Sequence, residues 1–165
     1  MRAIVIRAHG GPDSLSLVDE PVPVPGPGEV RIRVRAVGMN HLDTWVRRGV
    51  AGHHFPLPII PGSDVAGVID SGDAPGLETG DEVVVAPVVS CGRCQACLSA
   101  NEVACRSYGI LGEHRNGGCA EYVCVSASHV LPKPKSLSFP EAASLLLSPL
   151  TAYHMLHGRA RVQPG

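Results

Sequence analysis

The sequence contains few aromatic residues and carries little net charge. Aromatic side chains make up 4% of the 165 residues, and the formal net charge is −1 at pH 7. Lys and Arg do not gather in a block, so the sequence predicts neither a nucleic-acid partner nor an acidic membrane partner. No segment reaches the roughly 18 apolar residues of a membrane span, and the first apolar run is too short for a signal peptide. We therefore expect a cytoplasmic protein.

The sequence also lacks a phosphate-binding glycine loop. No G-x-G-x-x-G motif followed by a helix occurs in it. Dinucleotide-binding domains use that loop and the helix N-terminus behind it to hold the pyrophosphate. We therefore expect that this chain alone does not hold NAD(P) well and is inactive alone. It is either the front portion of a longer enzyme or a naturally short protein.

Turn residues are abundant instead, and they separate short alternating segments. The chain has 19 Gly and 15 Pro. Period-two alternation of apolar and polar residues, bounded by these turn residues, predicts short strands. The predicted strands span residues 2–8, 15–18, 29–37, 65–69, 81–86 and 119–125. This pattern is typical of a mainly β fold, a small barrel or sandwich, in a single domain.

Capping and stop signals predict three short helices. They span about residues 41–48, 139–147 and 149–158, after the candidate N-caps Asn40, Ser138 and Ser148. The first helix has Asp43 at its third position and Gly49 after its end, and the second has a Ser/Glu capping box.

Residues 91–105, with the sequence CGRCQACLSANEVAC, present four thiols. Cys91, Cys94, Cys97 and Cys105 are separated by two, two and seven residues. Four thiolates bind zinc in a closed tetrahedral site that leaves no position for a substrate, so we interpret the cluster as a structural zinc site with one ion per chain. The alternatives are a pair of disulfides, for which three such close cysteines are poorly spaced, and an iron–sulfur cluster, which uses the same ligands.

Several motifs occur together with this cluster in a fixed order. They are MRAIVI, PVPVPGPGEVRIRVRAVGMNHLD, PLPIIPGSDVAGVI, GDEVVV, the cysteine lobe, GGCAEYV and LLLSPLTAYHML. The chain thereby resembles the medium-chain dehydrogenase/reductase superfamily, which includes the zinc-containing alcohol dehydrogenases. The resemblance implies a partly open GroES-like barrel, the catalytic domain, in residues 1–130. Residues 131–165 would be a linker and helices that lead to a Rossmann nucleotide domain, which is absent from this chain.

The resemblance also locates the three main ligands of a catalytic zinc ion. Those positions hold Asn40, Ser63 and Leu147 here. An amide, a hydroxyl and an alkyl group lack the basic nitrogen or sulfur that zinc requires, so we expect no catalytic zinc. The proton-relay positions hold Leu42 and Trp45, which cannot carry a proton. Alcohol oxidation by the usual route is therefore not expected.

These replacements resemble the quinone-oxidoreductase and enone-reductase branch. The resemblance implies an NAD(P)-dependent enzyme that delivers hydride to a quinone, a conjugated carbonyl or an aldehyde. Asn40 and the N-terminus of the nearby helix would donate to the developing oxyanion, Asp43 would orient Asn40 or the loop, and Thr151 would contact the nicotinamide. Trp45 and Leu147 would line the substrate pocket. The simpler alternatives are that Asn40 is an ordinary N-cap, Trp45 a core residue and Thr151 a solvent-facing residue.

Three further side chains are interpreted more simply. Asp64, beside Ser63, either supports the site or is a surface carboxylate. His53 and His54 lie in a proline-rich loop without a third ligand nearby in sequence, so we interpret them as solvated residues.

Two other functions remain open. One is a non-enzymatic zinc-binding β domain that serves as a scaffold, and the other is an alcohol dehydrogenase with atypical ligands. The resemblance to dimeric and tetrameric relatives also implies a homo-oligomer.

Overall fold

The computed structural model describes residues 1–163, and a five-stranded antiparallel sheet organises it. Residues 1–163 form nine strands, which are β1 Arg2–Ile6, β2 Leu15–Asp19, β3 Glu29–Gly38, β4 Asp64–Ser71, β5 Glu82–Val85, β6 Val88–Val89, β7 Gly109–Ile110, β8 Tyr122–Ser126 and β9 Val130–Pro132. In spatial order the strands of the sheet are β8, β3, β4, β5 and β9. The sheet curls into a half-barrel, as the predicted GroES-like fold requires.

The sheet curls around a core of aliphatic residues. Val30 and Ile32, on one face of β3, are fully buried, and so are Val65 on β4 and Val83 on β5. Side chains alternate between the faces of a strand, so the period-two pattern in the sequence places these residues together. The β1–β2 hairpin packs at the side and is joined to the sheet by a bridge between Ala3 and Ala120.

Residues 1–163 also form four short α-helices, which are α1 His41–Arg48, α2 Gln95–Leu98, α3 Phe139–Ala143 and α4 Leu147–Tyr153. A π-helical turn, His154–Arg159, continues α4. Within residues 1–163 no helix is both long and apolar enough to cross a membrane.

The C-terminal part differs from the sequence prediction in three places. The last α-helix begins at Leu147 with Leu146 as its N-cap residue, so Ser148 lies inside α4 and is not its N-cap. The second predicted helix ends at Ala143 rather than near Leu147, because the hydroxyl of Ser144 donates to the carbonyl oxygen of Glu141 and competes with the helical pattern. The sheet also extends two residues into the predicted linker, since Pro132 pairs with Val83. Proline is tolerated there because β9 is an edge strand.

Gly38 allows α3 to pack closely against the end of β3. A Cβ atom at Gly38 would lie 3.0 Å from Cβ of Asp64 and closer still to the carbonyl oxygen of Ala143. We expect Gly38→Ala to lower the free energy of unfolding by about 1 to 3 kcal/mol through overpacking. Urea denaturation measures this, with Gly11→Ala as the control, because a Cβ at Gly11 meets nothing within 4 Å. Equal stability of the two variants would contradict the close packing.

Candidate functional site

The four predicted cysteine ligands converge in a lobe that leaves the barrel after β5. The hairpin of β6 and β7 forms the base of the lobe, and α2 lies within it. The Sγ–Sγ distances are 3.5 Å for Cys94 and Cys97, 3.9 Å for Cys91 and Cys97, and 3.6 Å for Cys91 and Cys105. A tetrahedron with zinc–sulfur bonds of about 2.3 Å has edges of about 3.8 Å. The cluster therefore fits a structural zinc ion, and no pair of these sulfurs is close enough for a disulfide.

Backbone N–H groups surround the sulfurs of this cluster. The N–H groups of Cys91 and Ser107 donate to Sγ of Cys105 at 3.5 and 3.3 Å. Backbone donors from Arg93 and Cys94 lower the pKa of Cys91 to about 6, whereas burial and the neighbouring thiols raise the pKa of Cys97 to about 11. Backbone donors that stabilise thiolate charge suit a metal ligand set.

A polar chain attaches the lobe to the barrel. Oε1 of Glu102 accepts from the hydroxyl of Ser90 at 2.6 Å and lies 3.0 Å from Nε2 of His129. The Ser90 hydroxyl and the His129 ring both lower the pKa of Glu102. His129 lies just before β9 and is only 8% exposed, so this contact fixes the lobe against the sheet.

The second candidate site is an open cleft between α1 and α4, about 410 Å³ in volume. Among the residues that line it are Asn40, Leu42, Trp45, Leu147, Ser148 and Thr151. Four of the predicted site residues, Asn40, Trp45, Leu147 and Thr151, therefore surround one space. The fifth, Asp43, lies buried beside them and is not among the residues that line the cleft.

Hydrogen bonds hold the side-chain amide of Asn40 in one orientation. Its Nδ2 donates to Oδ2 of Asp64 at 3.0 Å, and its Oδ1 accepts from the hydroxyl of Ser148 at 3.2 Å. Oδ1 of Asp64 accepts from the backbone N–H of Leu147 at 2.7 Å. An amide nitrogen has two hydrogens, so Asn40 keeps one donor beyond its bond to Asp64.

Two buried carboxylates support this arrangement. Asp43 accepts from the backbone N–H groups of Asn40 at 2.7 Å and Gly62 at 2.8 Å. Burial raises the pKa of Asp43, against the effect of these two donors. Burial also raises the pKa of Asp64, and the nearby charge of Asp43 adds to that shift while the bonds from Asn40 and Leu147 oppose it. Asp43 thus positions the backbone of Asn40, and Asp64 positions its amide.

The residues at the three positions of the catalytic zinc ligands do not suit a zinc ion. The amide of Asn40 is bonded to Asp64 and Ser148, and Leu147 offers only an alkyl side chain. Ser63 is fully buried, and its hydroxyl has no hydrogen-bond partner among the described residues. Within residues 1–163, two groups of three or more His, Cys, Asp or Glu side chains could hold a metal ion. Neither group includes Asn40, Ser63 or Leu147. The ligand chemistry therefore does not match zinc.

The simpler alternatives for three residues can now be compared with their positions. Trp45 is 50% exposed and its ring lies edge-on to His41, with centroids 5.1 Å apart, so it is not a core residue. Thr151 is exposed, as its solvent-facing alternative predicts, and it also lines the cleft. Its hydroxyl donates to the carbonyl oxygen of Leu147 at 2.8 Å. Asn40 is the N-cap residue of α1 by position, but its amide also bonds across the cleft wall.

The structure excludes one of the two alternatives for Asp64 and gives His53 partners that the sequence did not show. Asp64 is 2% exposed and is not a surface carboxylate. His53 does have partners, since its Nε2 lies 3.2 Å from Oε1 of Glu113 and His114 lies on the other side of that carboxylate. The sequence analysis also missed Ser148 as a partner of Asn40, because the two are 108 residues apart and no local signal joins them.

Known proteins of similar sequence indicate the family of this chain. Residues 26–135 match the family of the alcohol dehydrogenase GroES-like domain. An alcohol dehydrogenase of Geobacillus stearothermophilus is 35% identical over 160 residues, which cover 94% of this chain and 47% of that protein. A quinone oxidoreductase of Pongo abelii is 32% identical over 168 residues, which cover 100% of this chain and 43% of that protein.

A solved structure is also similar. The crystal structure of an NAD-dependent alcohol dehydrogenase matches with a TM-score of 0.94 and 51% identity, over 100% of this chain and 49% of that chain. The chain thus spans about half the length of the relatives it matches.

Proposed function

The chain belongs to the alcohol dehydrogenase GroES-like domain family. We propose that it is the substrate-binding half of an NAD(P)-dependent oxidoreductase that reduces quinones or conjugated carbonyls. In this proposal the protein keeps a structural zinc ion and has no catalytic zinc ion. The observation that carries the proposal is the oriented amide of Asn40 at the cleft, in place of a metal ligand. The location we propose is the cytoplasm, where thiolates stay reduced.

Asn40 is the proposed donor to the substrate oxygen. Hydride addition to a quinone or a conjugated carbonyl moves an electron pair onto the carbonyl oxygen, and a hydrogen-bond donor fixed in advance stabilises that charge. The amide meets this requirement because Asp64 and Ser148 already determine which end is nitrogen. The N-terminus of α1, which begins at His41, adds a favourable dipole at the same position.

The cleft also supports roles for the apolar residues and for Thr151. Trp45 and Leu147 give the cleft an apolar wall, which suits a flat conjugated acceptor. The hydroxyl of Thr151 already donates to Leu147, so toward a bound nicotinamide it can only accept a hydrogen bond. A reduced nicotinamide held there would supply the hydride.

The reaction class is tested with the full-length protein. We expect NADH or NADPH to be consumed with quinones and conjugated carbonyls, and the rates to survive dialysis against a chelator that leaves the four-thiolate zinc in place. Oxidation of simple alcohols by NAD⁺ or NADP⁺ should be at least about a hundredfold slower, since no metal lowers the pKa of the alcohol. Absorbance of the reduced nicotinamide measures both reactions.

Two outcomes would contradict the proposal. Alcohol oxidation that is lost on chelation and restored by zinc would indicate an alcohol dehydrogenase with atypical ligands. The absence of any nicotinamide-dependent reduction, with zinc still bound to the cysteines, would indicate a non-enzymatic zinc-binding domain. Circular dichroism before and after dialysis verifies that the protein stays folded.

A further inference from the structure

We propose that His53, Glu113 and His114 form a second metal site, separate from the cleft and from the cysteine cluster, which takes a divalent transition-metal ion such as Zn²⁺. Each of the three side chains offers one ligand atom, and these atoms all lie within 4.8 Å of one another. His53 lies in the loop between α1 and β4, whereas Glu113 and His114 follow β7. A shared ion would tie the two loops together.

The carboxylate of Glu113 is the centre of this site. The residue is 7% exposed, and its two oxygens face different imidazoles. Oε1 lies 3.2 Å from Nε2 of His53, and Oε2 lies 3.6 Å from Nδ1 of His114. Within residues 1–163, Glu113 forms no ion pair with Lys or Arg. A buried carboxylate is costly without a compensating positive charge, which a divalent ion supplies.

The ring of His114 is oriented by the backbone. The backbone N–H of Ile110 donates to Nδ1 of His114 at 3.2 Å, and that nitrogen lies 3.6 Å from Oε2 of Glu113. This hydrogen bond uses the lone pair of Nδ1, so an ion held at Nδ1 would replace the hydrogen bond from Ile110 by a coordinate bond.

Packing against neighbouring residues holds the rings of His53 and His114 at the proposed metal site. The ring of His53 lies against Phe55, with centroids 4.4 Å apart. A Cβ atom at Gly109 would lie 2.9 Å from Cβ of His114, so glycine is needed for this ring position. The side chain of His53 is 41% exposed, which leaves one side of the site open for water. Two imidazoles, one carboxylate and an open position are a ligand set that zinc accepts.

The test is a titration of the intact protein, with the four cysteines already loaded, by ZnCl₂ in an isothermal calorimeter. We expect one further Zn²⁺ per chain and a rise in the melting temperature. His53→Asn should weaken this binding by at least about tenfold, as should Glu113→Gln, because each removes one of three ligands. His54→Asn is the matched control, since it removes the adjacent imidazole and leaves the cluster complete.

Cobalt provides a second measurement that does not depend on the variants. Co²⁺ added to the zinc-loaded protein should bind without thiolate-to-cobalt charge-transfer absorption, because this site has no sulfur ligand. No binding beyond the four-thiolate ion, or equal weakening by His54→Asn and His53→Asn, would overturn the proposal. Oxidoreductase activity of His53→Asn should equal that of the unchanged protein, so failure here is distinguishable from failure of the proposed reaction.

Discussion

Serine in place of Cys94 is expected to remove the zinc ion from the cysteine cluster and to unfold the lobe of residues 88–110 locally. A hydroxyl is a poor zinc ligand, and structural zinc sites contribute on the order of 10 kcal/mol to the folding of the segment that they hold. The lobe has little else to keep it folded, since β6 and β7 have two residues each and Leu98 is 72% exposed.

Zinc content and trypsin digestion measure this effect. Trypsin cleaves after Arg93 and Arg106, which both lie within the lobe. We expect zinc per chain to fall to near zero at the cysteine cluster and cleavage at these two arginines to become fast. Cys124→Ala is the control, since Cys124 is buried on β8 outside the cluster and its loss should leave the zinc in place. Slow cleavage of zinc-free Cys94→Ser would show that the lobe folds without metal.

The parts of the fold that the sequence predicts well are those specified by neighbouring residues. Four cysteines at short spacing in the sequence indicate a metal-binding lobe, because a tetrahedral ion requires sulfurs about 3.8 Å apart. In the structure the Sγ–Sγ distances are 3.5 to 3.9 Å. The alternation of apolar and polar residues in β3 is also a local pattern, and its apolar residues Val30 and Ile32 lie in the core.

Contacts between distant segments are what the sequence could not show. The sequence left open whether Asp64 supports the site or lies on the surface, because its partner, the backbone N–H of Leu147, is 83 residues away. His53 contacts the carboxylate of Glu113 only because the loop after β7 folds beside it. Such pairs depend on how the sheet and α4 pack, and hydrophobic periodicity carries no information about them.

If the proposed reaction is correct, alanine in place of Asn40 is expected to lower kcat for quinone or enone reduction by about 10²- to 10³-fold in the full-length protein. That range is typical when one donor to a developing oxyanion is removed. KM should change little, because the donor acts mainly in the transition state. Steady-state kinetics with the preferred acceptor measures both constants. Asn101→Ala, which removes an amide from the exposed surface of the zinc lobe, should have no effect.

Aspartate at the same position separates the donor role from simple helix capping. Asn and Asp cap helices about equally well, so if Asn40 only capped α1, Asn40→Asp would keep its activity. A carboxylate, however, cannot donate to the substrate, and it would place a negative charge beside Asp64, which lies 3.0 Å from the present amide. Asn40→Asp should therefore be at least as inactive as Asn40→Ala. An aspartate variant with near-normal kcat would show that the oriented amide is not the oxyanion donor.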